Sequence, residues 1–302
     1  MPINAPPPPK KKRSAKQIRA HLRHAAFTRM PNWLSGGKLA LARSVRRIEC
    51  VQRVVELPSL AADLEGLRIT HVSDLHIGHI LGPESLPEIM ASVNALKGDL
   101  IAVTGDFVDL SIGVLDHVIA GLQSLKAPLG VHLVLGNHDY LDDGPQLIER
   151  FRAAGLGLLV NETVKVQRGN SHLLIGGIDF AHQHDQLGAL VQHTFRQAQP
   201  VDRSSLRLLL AHHPHAFDHA CLHDVHLTLS GHTHGGQLVV ANTRGKRGSI
   251  GLGSLGFRYP RGLYRKGHRY LYVTTGVGSW FPLRVKCPAE IASLRLTATP
   301  NR

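Results

Sequence analysis

Residues 100–109 read LIAVTGDFVD: an apolar run of strand length, one threonine, then a glycine and two aspartates three positions apart. A short, continuous apolar run that stops at glycine and acid reads as a buried strand ending in a polar turn. The same pattern recurs along the chain. Apolar runs at 67–72, 131–135, 173–175, 206–210, 225–229 and 270–273 have the length of strands, and 83–96, 114–125 and 145–154 between them are helix-like. This alternation predicts an α/β fold, a sheet or pair of sheets covered by helices, with no internal repeat.

Five of these strand candidates run directly into polar clusters. They are Ser73-Asp74-Leu75-His76, Gly105-Asp106-Phe107-Val108-Asp109, Gly136-Asn137-His138-Asp139, Ala211-His212-His213-Pro214 and Gly231-His232-Thr233-His234-Gly235-Gly236-Gln237. Ligands of open α/β sheets gather beyond the carboxyl ends of strands, so five such ends imply one shared pocket. Carboxylate, imidazole and amide oxygen suit Mn²⁺, Fe or Zn²⁺, and a set without thiolate argues against a structural zinc site. In Asp74-x-His76 and His232-x-His234, alternation on an extended segment puts both side chains on one side. Each cluster alone is also a plausible turn or surface pair, and Asp139 reads as loop support rather than a catalyst. It is their joint, ordered occurrence that points to metal chemistry.

That ordered set (SDLHIG, TGDFVD, GNHDY, AHHP, SGHTHGGQ and a late GVGSWFPLRVKCPAEI) resembles the calcineurin-like metallophosphoesterase family over about residues 50–297. In wording it is similar to a bacterial branch of small phosphodiesterases, some acting at membranes and one group cleaving the pyrophosphate of UDP-diacylglucosamine. The resemblance implies a four-layer αββα sandwich, two packed sheets flanked by helices, around two divalent metal ions. It assigns Asp74, His76, Asp106 and His234 to one metal. Asp106, Asn137, His212 and His232 go to the other, with Asp106 bridging. His212 is taken over His213 because the family ligand ends its strand before a His-x-Pro turn. His138 would face the phosphate, oriented by Asp109. The expected cofactors are two ions of Mn, Fe or Zn, manganese favoured. The expected reaction is attack on phosphorus by a water whose pKa the metal pair lowers. The expected activity is a phosphodiesterase or pyrophosphatase on a lipid-linked or nucleotide substrate. Phosphomonoesterase and nuclease are the alternatives within the class. A non-catalytic metal-bound scaffold is the alternative outside it, opposed by the presence of all seven ligand positions and His138.

Composition adds where the chain sits rather than what it does. Of 302 residues 43% are hydrophobic and 19% charged, as in ordinary globular proteins. Three scattered cysteines (Cys50, Cys221, Cys287) make neither a disulfide framework nor a metal motif, so a reducing compartment is expected. The formal charge of +13 is concentrated at one end: residues 1–48 hold 12 of the 35 basic residues and none of the 22 acidic ones. The division expected is a basic, Pro-rich tail over 1–48, with a possible amphipathic helix, and one catalytic domain over 49–302. Pro6–Pro9 and Lys10–Arg13 suggest an extended start, and 18–47 one or two short basic helices carrying Leu22, Phe27, Trp33, Leu34, Leu39 and Leu41. Such a segment suits an anionic membrane surface, with plain solvation or nucleic acid as other readings of the charge. No uninterrupted apolar stretch of about 18 residues occurs. The location expected is cytoplasmic, with contact to the cytoplasmic face of the inner membrane left open, and no protein partner is expected. Arg258, Arg261, Arg265 and Lys266, in a Gly/Arg/Lys-rich surface loop over 244–269, are candidates to clamp a phosphate. Trp280, Phe281 and Leu283 are candidates for an apolar substrate groove.

Overall fold

In the computed structural model, which describes residues 15–39, 47–58, 60–181, 183–196, 205–241, 250–251 and 257–299, every expected strand run becomes a strand. Of the calls above, Pro6–Pro9, Lys10–Arg13, Leu41 and the 242–249 and 252–256 parts of the surface loop lie outside the described residues. In chain order the first strands are β1 (Ile48–Leu57), β2 (Arg68–Val72), β3 (Leu100–Thr104), β4 (Val131–Val134), β5 (Gly157–Leu158), β6 (Glu162–Arg168) and β7 (Ser171–Gly177). There follow β8 (Ser205–Leu210), β9 (Leu227–Ser230), β10 (Val239–Ala241), β11 (Ile250–Gly251), β12 (Gly262–Lys266), β13 (Arg269–Val273) and β14 (Ala289–Ala298). The helices are α1 (Ala15–His24), α2 (Met30–Leu34), α3 (Leu86–Ala95), α4 (Leu115–Gln123), α5 (Gly144–Ala153), α6 (His184–Phe195) and α7 (Ala216–Ala220).

One six-stranded sheet has the order β1-β14-β2-β3-β4-β5, the other β12-β13-β9-β8-β7-β6. Strands β2 to β5 run parallel, as do β7, β8, β9 and β13, so their carboxyl ends emerge on common edges. Period-two geometry then decides which side chain meets which layer. Along β3, Leu100 and Ala102 face the other sheet while Ile101 and Val103 face helices. Between the sheets lie Ile69, Val134, Leu173, Ile175, Leu208, Leu229, Tyr272 and Leu294, all buried. Outside the first sheet α3, α4 and α5 bury Met90, Val93, Val118, Leu147 and Phe151; outside the second, α6 and α7 bury Leu187, Val191 and Ala216. The fold is a four-layer αββα sandwich. Burying each such apolar side chain is worth about 1.5–3 kcal/mol, so the two sheets and their helices hold the strand ends rigidly.

Within the basic segment, residues 15–34 are helical and lie against the domain. Gln17 Nε2 donates to the Asp142 carbonyl at 3.2 Å, and the Thr28 hydroxyl donates to the carbonyl of Trp280. No helix among the described residues is long and apolar enough to cross a membrane.

Candidate metal centre

Where the parallel strands stop, the backbone takes a conformation that L-residues avoid. Asp74 (φ 54°), His76 (φ 45°), Asp106 (φ 55°), His232 (φ 71°) and His234 (φ 49°) all sit in the left-handed region. Such residues cost on the order of 1–3 kcal/mol each and persist only where surroundings enforce them. Here the enforcement is visible. The loop after β2 is laced to the loop after β3 by Asp74 N–H to the Gly105 carbonyl (2.9 Å), His76 N–H to Asp106 (2.9 Å) and Ile77 N–H to Phe107 (3.1 Å). Asp139 does not face the ligands; its carboxylate accepts from the backbone N–H of Asp106 (2.9 Å), Phe107 (2.8 Å) and Gly136 (2.8 Å). Gly231 is required by close approach, since a Cβ there would run into Ser73 Oγ and Asp74 Oδ2.

The seven ligand candidates converge into two adjoining nests. In one, His76 Nε2 lies 3.0 Å from His234 Nε2, 3.4 Å from Asp106 Oδ2 and 3.8 Å from Asp74 Oδ1, and His234 Nε2 lies 3.4 Å from Asp74 Oδ1. In the other, His212 Nε2 lies 3.3 Å from Asp106 Oδ2 and 3.2 Å from His232 Nδ1, which is 2.8 Å from Asn137 Oδ1. Asp106 Oδ2 belongs to both. His212 Nδ1 donates to the Thr104 carbonyl at 2.6 Å, which fixes the tautomer and frees Nε2 for the nest. Two groups, Asp74–His76–His234 and Asp74–Asp106–His212, each offer ligand atoms within 4.8 Å of one another. A third, His76–Asp109–His138, meets the same limit and shares His76 with the first.

The electrostatics fit cations. Burial alone would raise the Asp74 carboxyl, but His234 and His76 hold it below the ordinary carboxylate range; for Asp106, burial is outweighed by His212 and His138. Burial acts to neutralise His76, yet its contacts with Asp109 and Asp74 lift it to about 10, and Asp106 lifts His212 to about 9 against burial. Burial drives His234 down to about 3 and His232 well below its usual value. The buried carboxylates thus favour positive charge on their neighbours, a demand that divalent ions held by the same lone pairs would meet. Asp74, His76, Asp106 and His234 would hold one ion, and Asp106, Asn137, His212 and His232 the other.

His138 stands beside the nests, its ring edge-on to His76 at 4.5 Å. Its Nδ1 donates to the Asp109 backbone carbonyl at 2.6 Å, whereas the nearer carboxylate oxygen is 3.7 Å away. Burial pulls His138 below its ordinary value, with Asp106 and Asp109 acting in the opposite direction. A cavity of about 430 Å³ opens over these residues. Asp106, Asn137, His138, His232 and His234 form its polar floor, and Ala20, Phe27, Leu110, Leu141, Phe257 and Trp280 supply apolar walls.

Of the groove candidates, Trp280 lines this cavity; the carbonyls of Phe281 and Leu283 accept from Gln237 Nε2 at 2.9 and 3.1 Å. Of the phosphate-clamp candidates none lines it. Arg258 and Lys266 reach Asp218 at 3.3 and 3.8 Å, and Arg261 and Arg265 donate to the carbonyls of Lys286 and Gly267. Two residues escaped the sequence reading. Arg284, 3% exposed, donates to the carbonyls of Thr275 (2.9 Å) and Gly278 (2.5 Å) and to Ser279 Oγ (2.8 Å), and stands 3.5 Å from His234 Nδ1. His24, on α1, places Nε2 3.0 Å from Asp109 Oδ2. A lone arginine inside an apolar motif was a usable signal for the first; nothing local marked the second.

A model of the calcineurin-like phosphoesterase family matches residues 67–236, the span that contains all seven converging side chains and His138. The chain belongs to that family. It is 29% identical over 274 residues to a protein of Bacillus subtilis named an uncharacterised metallophosphoesterase, covering 88% of this chain and 92% of that one. An Aquifex aeolicus protein of the same description is 30% identical over 238 residues, 78% and 87% of the two chains. A Danio rerio protein named as a transmembrane protein with metallophosphoesterase domain is 32% identical over 259 residues, 80% of this chain but 56% of its own length. Of several such curated relatives this chain spans only 56–61% of the length. A solved dimetal phosphatase of Danio rerio superposes with a TM-score of 0.40 at 12% identity, over 70% of this chain and 88% of that one. By the family match, the domain is a metallophosphoesterase, a hydrolase domain with a metal-binding site.

Proposed function

We propose that this chain is a binuclear metal-dependent phosphodiesterase or pyrophosphatase whose substrate joins a phosphoester to an apolar body, a lipid-linked phosphate being favoured over a nucleotide. The observation that carries the reading is the pair of nests sharing Asp106 Oδ2 at the floor of a cavity with apolar walls. Ligand pockets are mostly apolar with a few convergent polar groups, and the polar groups here include Asp106, Asn137, His232 and His234, which would hold the metals. When bound, the ions would supply a lowered pKa for water and charge neutralisation on the phosphate oxygens.

The chain's own groups do the rest. Nδ1 of His138 is committed to the Asp109 carbonyl, so Nε2 is the atom left to meet the substrate. Protonated, Nε2 donates to the phosphate or to the departing oxygen; burial lowers the pKa of this imidazole, and the carboxylates of Asp106 and Asp109 act against that. The apolar walls exclude water and seat the remainder of the substrate. The exposed Ile18, Leu22, Met30, Trp33 and Leu34, interspersed with Arg19, Arg23 and Arg29, are a surface suited to anionic lipid beside the cavity.

The test compares bis-p-nitrophenyl phosphate, p-nitrophenyl phosphate, single-stranded DNA and a membrane-lipid pyrophosphate, each with Mn²⁺. Preference for the diester or the lipid pyrophosphate is expected; preference for the monoester or DNA selects the other enzymes of this class. Two metals bound with every phosphoester left intact would favour a scaffold. His138→Ala should lower kcat about 100-fold or more at near wild-type metal content, and unchanged turnover removes it from the mechanism. Asp106→Asn should lower the occupancy of both metals, read by elemental analysis.

A further inference from the structure

One oxygen of Asp109 meets a residue from a part of the chain that the family match does not include. Oδ1 faces inward, 3.7 Å from His138 Nδ1 and 3.8 Å from His76 Nδ1. Oδ2 faces outward, 3.0 Å from Nε2 of His24, more than 40 positions before the matched span 67–236. A carboxylate turns about its last bond with little preference of its own, so a fixed partner on one oxygen decides where the other points. The partner here is fixed. His24 is 8% exposed, and its ring meets His79 edge-on at 5.6 Å. One turn on, Thr28 is 1% exposed and gives its hydroxyl to the Trp280 carbonyl; one turn back, Ala20 is buried against the cavity. Burial would raise the Asp109 carboxyl, but His24 and His76 hold it below the ordinary carboxylate range.

We infer that α1 is a working part of the active site, in which His24 is a positioning residue that keeps the Asp109 carboxylate turned toward His138. The inference rests on the roles proposed above for His138 and Asp109 and extends the site to the basic segment. That segment then has two faces with two tasks. Its buried face completes the cavity through Ala20, His24 and Thr28, with Arg23 and Phe27 at the rim, and its exposed face carries Arg19, Arg29 and the large apolar side chains of Ile18, Leu22, Met30, Trp33 and Leu34. Without His24, the Asp109 carboxylate is free to turn away from His138.

The experiment uses full-length His24→Ala and His24→Gln with bis-p-nitrophenyl phosphate, a soluble diester that removes any contribution from a membrane. Glutamine keeps an N–H near the reach of Nε2, and alanine does not. The alanine variant should lose about tenfold or more in kcat, the range seen when an outer partner that orients a site group is removed, with KM within about twofold and metal content as in wild type. Glutamine should recover most of the loss. In an Asp109→Ala background, His24→Ala should have no further effect, because the two act in series. Wild-type kcat in the alanine variant, a glutamine variant as impaired as alanine, or losses that multiply with Asp109→Ala would each overturn the inference. Should His138→Ala prove silent as well, it is the parent reading that falls; a sensitive His138 with an insensitive His24 sinks this inference alone.

Discussion

At the scale of single residues, the site is built from side chains whose protonation the fold sets, and one histidine away from the metals shows the consequence most simply. His71, on β2, is fully buried, with Nε2 2.9 Å from Thr104 Oγ1. Burial drives its pKa down to about 3, and the charge of Asp74 opposes this only in part. The unfolded imidazole takes a proton below about 6.5, the folded one only near 3. Between these values the unfolded state binds more protons, so stability rises with pH, and it falls by up to about 1.4 kcal/mol per unit as pH drops from 6.5 toward 3. His71→Asn should therefore flatten the acid limb of a Tm-against-pH curve; an unchanged slope between pH 6.5 and 4 would sink this account. The seven ligand candidates were legible at this scale because strand ends followed by Asp, His or Asn carry a period that needs no knowledge of distant contacts. Arg284 was not, since its partners are carbonyls of the loop that folds around it.

At the scale of elements, the strand ends work only when their loops are tied together. Asp139 does this by accepting backbone N–H groups from both the β3 and the β4 turn, and burial together with the charge of Asp106 pushes its carboxyl up to about 7 against those donors. Asp139→Ala would leave three buried donors without acceptors, at about 1–3 kcal/mol each. The expected outcome is a loss of about 3 kcal/mol or more in denaturant unfolding, with metal content reduced because Asp106 is no longer held in its left-handed turn. Full stability and full occupancy would show the loops to be self-supporting. The sequence made the inner strands plain, β3 above all, because both its faces are buried and its apolar run is unbroken. It hid β1 and β14. β1 mixes exposed Gln52, Arg53 and Glu56 with buried Val55 and Leu57, and its only strand partner among the described residues lies more than 230 positions away. No local pattern encodes such a pairing.

At the scale of the whole molecule, the order of layers was legible from alternating strands and helices, whereas the seat of the basic segment was not. Its charges and scattered apolar residues read as a solvated or lipid-facing surface, and only its docking revealed that every third or fourth side chain turns inward to the cavity. The outward face gives a prediction for the intact protein. Full-length chain should be retained by vesicles containing phosphatidylglycerol, less so at high salt, and a Trp33→Ser/Leu34→Ser variant should be released several-fold more readily while hydrolysing a soluble diester normally. Equal retention of both proteins, or equal binding to neutral vesicles, rejects lipid contact through this face.

The strand order of the first sheet also bears on when the enzyme can come alive during its manufacture. β14 slots between β1 and β2, which are made more than 200 residues before it. On the ribosome, β1 therefore waits without this neighbour until residues 289–298 have cleared the exit tunnel. The stretch just before β14 carries the Trp280 carbonyl that fastens Thr28. A nascent chain can shape its ligand loops early, but the cavity wall that Thr28 fastens closes only once the stretch through Trp280 has been made.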